Sequence, residues 1–156
     1  SFEKYFSRYA SFFNGWVKNN DGKIYDVYDG INWGTEIGIY RYTKRSYVGF
    51  TGGYRKENAE ILSGESFDFI EKYLLFFGQR RMSQNFLYEL KLRLSLKTYN
   101  ILREDERINI STSLLYKVFG ELSFGVFYGL IKNDSSVDHY TFDQHQIGLR
   151  LVGEVF

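Results

Sequence analysis

Cysteine and proline are both absent from the 156 residues of this chain. Without cysteine there is neither a disulfide framework nor a thiolate metal site. Without proline the sequence lacks the residue that most disrupts a strand ladder. No apolar run approaches the ~18 residues of a membrane-spanning helix, and mean hydropathy is −0.36. Neither sign of charge dominates: 20 Lys and Arg against 19 Asp and Glu leave a net +1. No long-range field therefore points to nucleic acid or to an anionic membrane surface. His139 and His145 are the only histidines, and with carboxylates dispersed around them no metal-ligand spacing emerges. No cofactor is expected. Gly30, Gly34, Gly38, Gly52 and Gly53 make no phosphate loop; they fall inside strand patterns, where close packing or a bend is the usual meaning. Ser1 begins the sequence without a basic and apolar leader, so any export signal is expected to lie outside it.

What the chain does have is aromatic residues and alternation. Aromatics make up 20% of it, with 14 Tyr and 15 Phe, a surplus that suits either the interfacial girdles of a membrane barrel or an aromatic soluble core. With 44% hydrophobic content, residues 1–156 are expected to form a single domain.

The alternation is clearest in Phe86 to Leu102. Phe86, Tyr88, Leu90, Leu92, Leu94 and Leu96 share one parity, while Glu89, Lys91, Arg93, Ser95, Lys97 and Tyr99 share the other, with Leu87 the apolar exception. A strand sends successive side chains to opposite faces, so this is one apolar face and one charged face. The segment is long beside the ~5 to 6 residues of a soluble strand, and long enough for the ~9 to 11 that cross a bilayer. The expectation is an all-β, antiparallel up-and-down transmembrane barrel of about eight strands, apolar face to lipid and charged face to an enclosed axis.

Elsewhere the pattern recurs with variations. Ser1 to Lys18 assigns poorly to faces, because Arg8 and Asn14 share a parity with Phe6, Phe12 and Trp16. After a turn signal at Asn19 to Gly22, a strand from Lys23 to about Tyr42 sets Ile31, Trp33, Ile37 and Ile39 against Asp26, Gly30, Asn32, Gly34, Glu36 and Gly38. Ser46 to Arg55 opposes Val48, Phe50 and Tyr54 to Gly49, Thr51, Gly53 and Arg55. In Ser66 to Arg81 the apolar parity reads as Phe67, Phe69, Tyr73, Leu75 and Phe77, with Glu71 as an exception, against Asp68, Lys72 and Arg80. Arg103 to Arg107 reads as a charged turn, Ile108 to Phe119 and Glu121 to Lys132 as strands, Asn133 to His139 as a loop, and Tyr140 to Phe156 as the last strand. Links near Lys44, Ser83 and Gly120 are the shorter set and those near Asn20, Asn58, Glu104 and Ser136 the longer, the asymmetry of periplasmic turns and extracellular loops.

The final strand, with Ile147, Leu149, Leu151 and Val155 on one parity and Phe156 at its end, resembles the terminal strand of bacterial outer-membrane proteins. The resemblance implies an outer-membrane location, recognition of Phe156 by the barrel-assembly machinery, and outer-membrane lipids as partners. Phe156 departs from the family pattern by sharing parity with Glu154, Val152 and Arg150, which a bulge at Gly153 would correct. The hairpin from Asn133, Asp134 and Ser135 into Tyr140, Phe142, Asp143, Ile147, Gly148 and Leu149 is also similar to the final hairpin of larger porin-like export barrels, which implies further strands or copies of this chain in one ring.

The candidate site is the charged face itself. Glu36, Glu89, Lys91, Arg93, Lys97, Lys117 and Arg150 are the expected lumen-facing charges; Trp33, Ile37, Leu90, Leu92, Leu94, Leu96, Leu149 and Leu151 are the expected lipid-facing residues. In a ring of about eight strands such charges form a paired, plugging core. In a wider ring they line a pore that selects by charge. A structural or pore-forming, non-enzymatic role is the favoured expectation. The alternatives are a soluble ligand-binding barrel and an outer-rim lipid hydrolase, resembling the lipid A deacylases, built on His145, Asp143 and Ser135 or Ser136.

Overall fold

The computed structural model describes residues 2–6, 9–20, 30–57, 68–120 and 122–153, with the side chains of 9–17, 32–57, 68–120 and 122–153. These residues form one nine-stranded antiparallel sheet in which every strand pairs with the next in sequence. The strands are β1 Phe2–Phe6, β2 Tyr9–Asn20, β3 Gly30–Tyr42, β4 Ser46–Glu57, β5 Phe69–Arg81, β6 Phe86–Tyr99, β7 Arg103–Phe119, β8 Leu122–Ser135 and β9 Phe142–Gly153. β1 is a five-residue strand, whereas the other eight run from 12 to 17 residues. No helix among the described residues is long and apolar enough to cross a membrane, which says nothing about crossing by strands. Among the described residues the sheet is not closed, since β1 and β9 pair only with β2 and β8.

The register divides the side chains into two faces, with one shift in the β7–β8 pair between Lys117 and Phe119. One row runs Glu36, Gly53, Tyr73, Ser95, Arg107, Asn133 across β3 to β8, and the neighbouring rows of that face add Arg55, Glu71 and Lys97. The opposite face carries Ile37, Phe50, Leu74, Phe76, Leu92, Leu94, Ile110, Leu114, Val126 and Leu149. Burial is inverted relative to a soluble domain. Glu71 is 3% exposed and Asp105 and Asn133 are 0% exposed on the polar face, while Ile147 on the apolar face is 83% exposed. Among the described residues, eight polar or charged side chains are buried but only Ala10, Phe69 and Leu115 of the apolar ones. A flat single layer would expose both faces alike, so the sheet curls toward its polar face. The accessible surface of 11469 Å² exceeds the roughly 8,200 Å² that a compact soluble monomer of this mass would expose.

Five expectations need correction. Ser1 to Lys18 is two strands, β1 and β2, that pair as a hairpin through Phe6 and Tyr9, so no single face pattern could describe it. In β5 the faces are the reverse of the expected ones: Phe69, Glu71, Tyr73, Leu75 and Phe77 lie on the polar face, and Ile70, Lys72, Leu74, Phe76 and Arg80 on the apolar face. Glu71 is therefore no exception; it pairs in register with Arg55 and Lys97. Arg103 to Arg107 is not a turn but the start of β7, and the loop before β9 is shorter because β8 continues to Ser135. The β6–β7 connection is only Asn100 to Leu102, with Leu102 at φ 55°. Asn19 and Asn20 belong to β2, and the part of the expected second strand before Gly30 lies outside the described residues. So do the loop around Asn58 and the end of the chain, Phe156 included.

Candidate functional site

Every charge expected to point inward lies on the polar face: Glu36 on β3, Glu89, Lys91, Arg93 and Lys97 on β6, Lys117 on β7 and Arg150 on β9. Every residue expected on the outside, Trp33, Ile37, Leu90, Leu92, Leu94, Leu96, Leu149 and Leu151, lies on the apolar face. The polar face is organised as three clusters.

The first spans β2 to β6. Glu36 accepts hydrogen bonds from Asn14 Nδ2 at 3.4 Å and from the Tyr73 hydroxyl at 2.8 Å. Tyr73 reaches across β4 because Gly53 lies between them; a Cβ at Gly53 would collide with the tyrosine ring. The Arg93 guanidinium sits 4.2 Å above that ring and pairs with Glu71 at 3.0 Å. Arg55 approaches the other Glu71 oxygen at 3.5 Å and Glu57 at 3.2 Å. Lys97 rests its ammonium 4.4 Å from the centre of the Phe69 ring. A carboxylate this buried requires a partner, and Glu71 has two.

The second cluster joins β6, β7 and β9. Glu89 accepts from Ser113 Oγ at 2.8 Å and pairs with Arg150 Nη1, which also reaches Ser113 Oγ at 3.3 Å. Arg150 is in register with Gly125 on β8, and its side chain reaches past β8 and β7 to Glu89 on β6. Lys91 lines the same depression and has no ion-pair partner among the described residues.

The third lies at the end of the sheet where β6 turns into β7. Arg103 and the buried Asp105 form a two-pronged pair, with Nε donating to Oδ1 at 2.8 Å. The same guanidinium lies between two rings, 4.4 Å from Tyr99 and 3.4 Å from Tyr140. Asn133 accepts from Arg107 Nε at 2.9 Å and donates to the Tyr140 carbonyl at 2.7 Å. These contacts clasp the loop that carries the short 3-10 turn Asp138–Tyr140 against the polar face.

The charge balance across these clusters is uneven. Glu71, Glu89 and Asp105 are each held by at least one arginine. Among the described residues Lys91, Lys97 and Lys117 hold no carboxylate, and Arg107 holds a neutral amide. Ser95 Oγ and Asn109 Oδ1 are buried on this face without a hydrogen-bond partner among the described residues.

The residues of the hydrolase alternative fall elsewhere. His145 and Asp143 are on the apolar face of β9, and His145 Nδ1 shares a 2.8 Å hydrogen bond with the Tyr128 hydroxyl. Ser135 and Ser136 hydroxyls accept from the amides of Val137 and Glu104 at 3.2 and 2.9 Å. Among the described residues no three His, Asp or Glu side chains converge as metal ligands would.

Sequence reasoning placed Arg55 on this face but missed Glu71, Tyr73, Arg103, Asp105 and Asn133 as members of it. The signal for Glu71 was present: assigning it to the charged parity puts it opposite Lys97 once β5 and β6 are paired through their four-residue link. The signal for Arg103 and Asp105 was absent, because a run of charges resembles a turn. No protein-family model, curated protein or solved structure matches this chain.

Proposed function

We propose that this chain forms the wall of a transmembrane β-barrel in a bacterial outer membrane, with its polar face toward an enclosed axis and a structural or pore-forming, porin-like role. The observation that carries the reading is the inverted burial: charges are sheltered on one face of a single-layer sheet while leucine, isoleucine and phenylalanine cover the other. Water as the outer solvent would penalise that arrangement, whereas lipid favours it. The apolar stripe of β6, Phe86 to Leu96, covers about 34 Å along the strand, which at a tilt of ~40° projects to about 26 Å and fits the ~25 Å apolar band of such barrels. Aromatic residues border that stripe at both ends: Trp33 with Tyr54, 5.3 Å apart, toward one rim, and Phe86 with Tyr116, 5.0 Å apart, toward the other.

Strand direction limits how such a ring would close. In a nine-stranded meander β1 and β9 run the same way, so an antiparallel seam needs β9 to meet β2 with β1 displaced, or further strands to come from outside this sequence. Copies of this chain or an additional barrel-forming chain are the partners that reading implies, with the assembly machinery and outer-membrane lipids. The unpaired lysines of the polar face would give a pore an anion preference, and the unpartnered Ser95 and Asn109 oxygens would be satisfied by water in it.

The test is reconstitution of the full chain in planar bilayers under a salt gradient. Conductance steps with a reversal potential of the anion-selective sign are expected, shifted toward cations by Arg93→Glu. A chain that extracts without detergent, or a selectivity indifferent to Arg93→Glu, would overturn the reading.

A further inference from the structure

A groove on the apolar face, at the end of the sheet with the short links, is built for an anionic amphiphile. Its floor is Gly78 on β5, flanked in register by Val48 on β4 and Leu90 on β6. Nothing in the packing requires glycine there: a Cβ would meet only Val48 Cγ2, at 4.0 Å. On the polar face, by contrast, the space above Gly53 is filled by a neighbouring ring. Phe76 and Leu114 complete the apolar walls.

The mouth of the groove is cationic. Arg80 lies on the same face of β5, two residues beyond Gly78 and opposite Tyr88. Arg45 comes from the β3–β4 turn, which is fastened to the end of β5 by the Arg81 amide donating to the Arg45 carbonyl at 2.7 Å. Arg45 and Arg80 line this groove, whereas Arg81 beside them belongs by register to the opposite face, and among the described residues neither Arg45 nor Arg80 has a carboxylate in ion-pair contact. A second groove on this face, at Gly52, differs in having a carboxylate, Glu106, beside its cations Lys72 and Arg107. Guanidinium groups gathered without a counter-ion favour phosphate, and an apolar trough directly below them favours an acyl chain.

We infer that this groove binds an anionic phospholipid, phosphate on Arg45 and Arg80 and one acyl chain along Gly78, at the rim that carries the short links. The inference rests on the membrane reading above and specifies a ligand for it. The test begins with flotation of the full chain with vesicles of equal phosphatidylglycerol and phosphatidylcholine, which reports insertion by itself. Native mass spectrometry of the particle released in mild detergent then reads retained lipid.

Retention of phosphatidylglycerol is expected to exceed that of phosphatidylcholine roughly tenfold. The double substitution Arg45→Gln with Arg80→Gln should float normally and bring the two lipids close to parity. Gly78→Leu, which the open space accommodates, should lower retention of both. Equal retention by the unaltered chain, or a preference that survives loss of both arginines, overturns the inference while leaving the membrane reading intact. Unchanged retention in Gly78→Leu would place the acyl chain elsewhere and overturn its assignment to the groove. A chain that does not float with the vesicles overturns both.

Discussion

Glu71 holds together the wall of β4, β5 and β6, since Arg55 and Arg93 both converge on it. Replacing it by Gln keeps the shape and removes the charge that both guanidinium groups answer. The expected loss is on the order of 2 kcal/mol, below the cost of breaking a fully buried pair because both arginines are partly exposed. Urea unfolding in vesicles, followed by tryptophan fluorescence, would read it; an unchanged midpoint would mean that the charges are solvated independently. Gly53→Val tests the neighbouring contact through space alone. The added side chain collides with Tyr73, for an expected loss of about 1 to 3 kcal/mol, and Tyr73→Ala in the same chain should recover part of it. At this scale the sequence was readable where polar residues alternate with leucines, as in Glu89, Lys91 and Arg93. It was not readable where an aromatic residue serves the polar face, as Tyr73 does, because its hydrogen bond to Glu36 depends on a strand two positions away.

The strands themselves were legible from period two, and the two-face pattern of β3, β4, β6 and β8 follows the sequence directly. β5 misled because both of its faces hold large apolar residues, Phe69 and Phe77 on one side and Leu74 and Phe76 on the other. Only its partners decide which is sheltered. The β6–β7 turn misled for a different reason. A three-residue hairpin link ends in a left-handed residue that is usually glycine, and here Leu102 occupies it at φ 55° with its side chain 95% exposed. Without glycine the turn carried no mark, and the charged start of β7 drew attention instead. Leu102→Gly should therefore stabilise the hairpin by about 1 kcal/mol, visible as a higher unfolding midpoint. A lower midpoint would show that Leu102 has an apolar partner. The faces of β6 can be probed as a pair: Leu92→Lys is expected to cost about 2 to 4 kcal/mol of stability in vesicles, whereas Lys91→Leu on the opposite face should cost far less. Similar effects at both positions would contradict a lipid-facing Leu92.

For the whole molecule the decisive quantity is the number of strands around the axis. A ring of about eight leaves room only for side chains, so a particle that conducts is expected to contain more than one chain per ring, measured as the protein mass of the detergent-solubilised complex. Conductance from a ring with the mass of one chain would contradict that expectation. No pattern within one chain specifies this number.

The dilution of apolar residues by polar ones at every second position also bears on how such a chain travels. Insertion machinery that releases helices sideways into a bilayer responds to continuous apolar stretches of about 18 residues or more. Strands such as β6, with Lys91 and Arg93 between leucines, present no such stretch. On the barrel reading proposed above, the chain would be apolar enough to coat the wall once paired, yet as an unfolded thread it would cross a first membrane without lodging there.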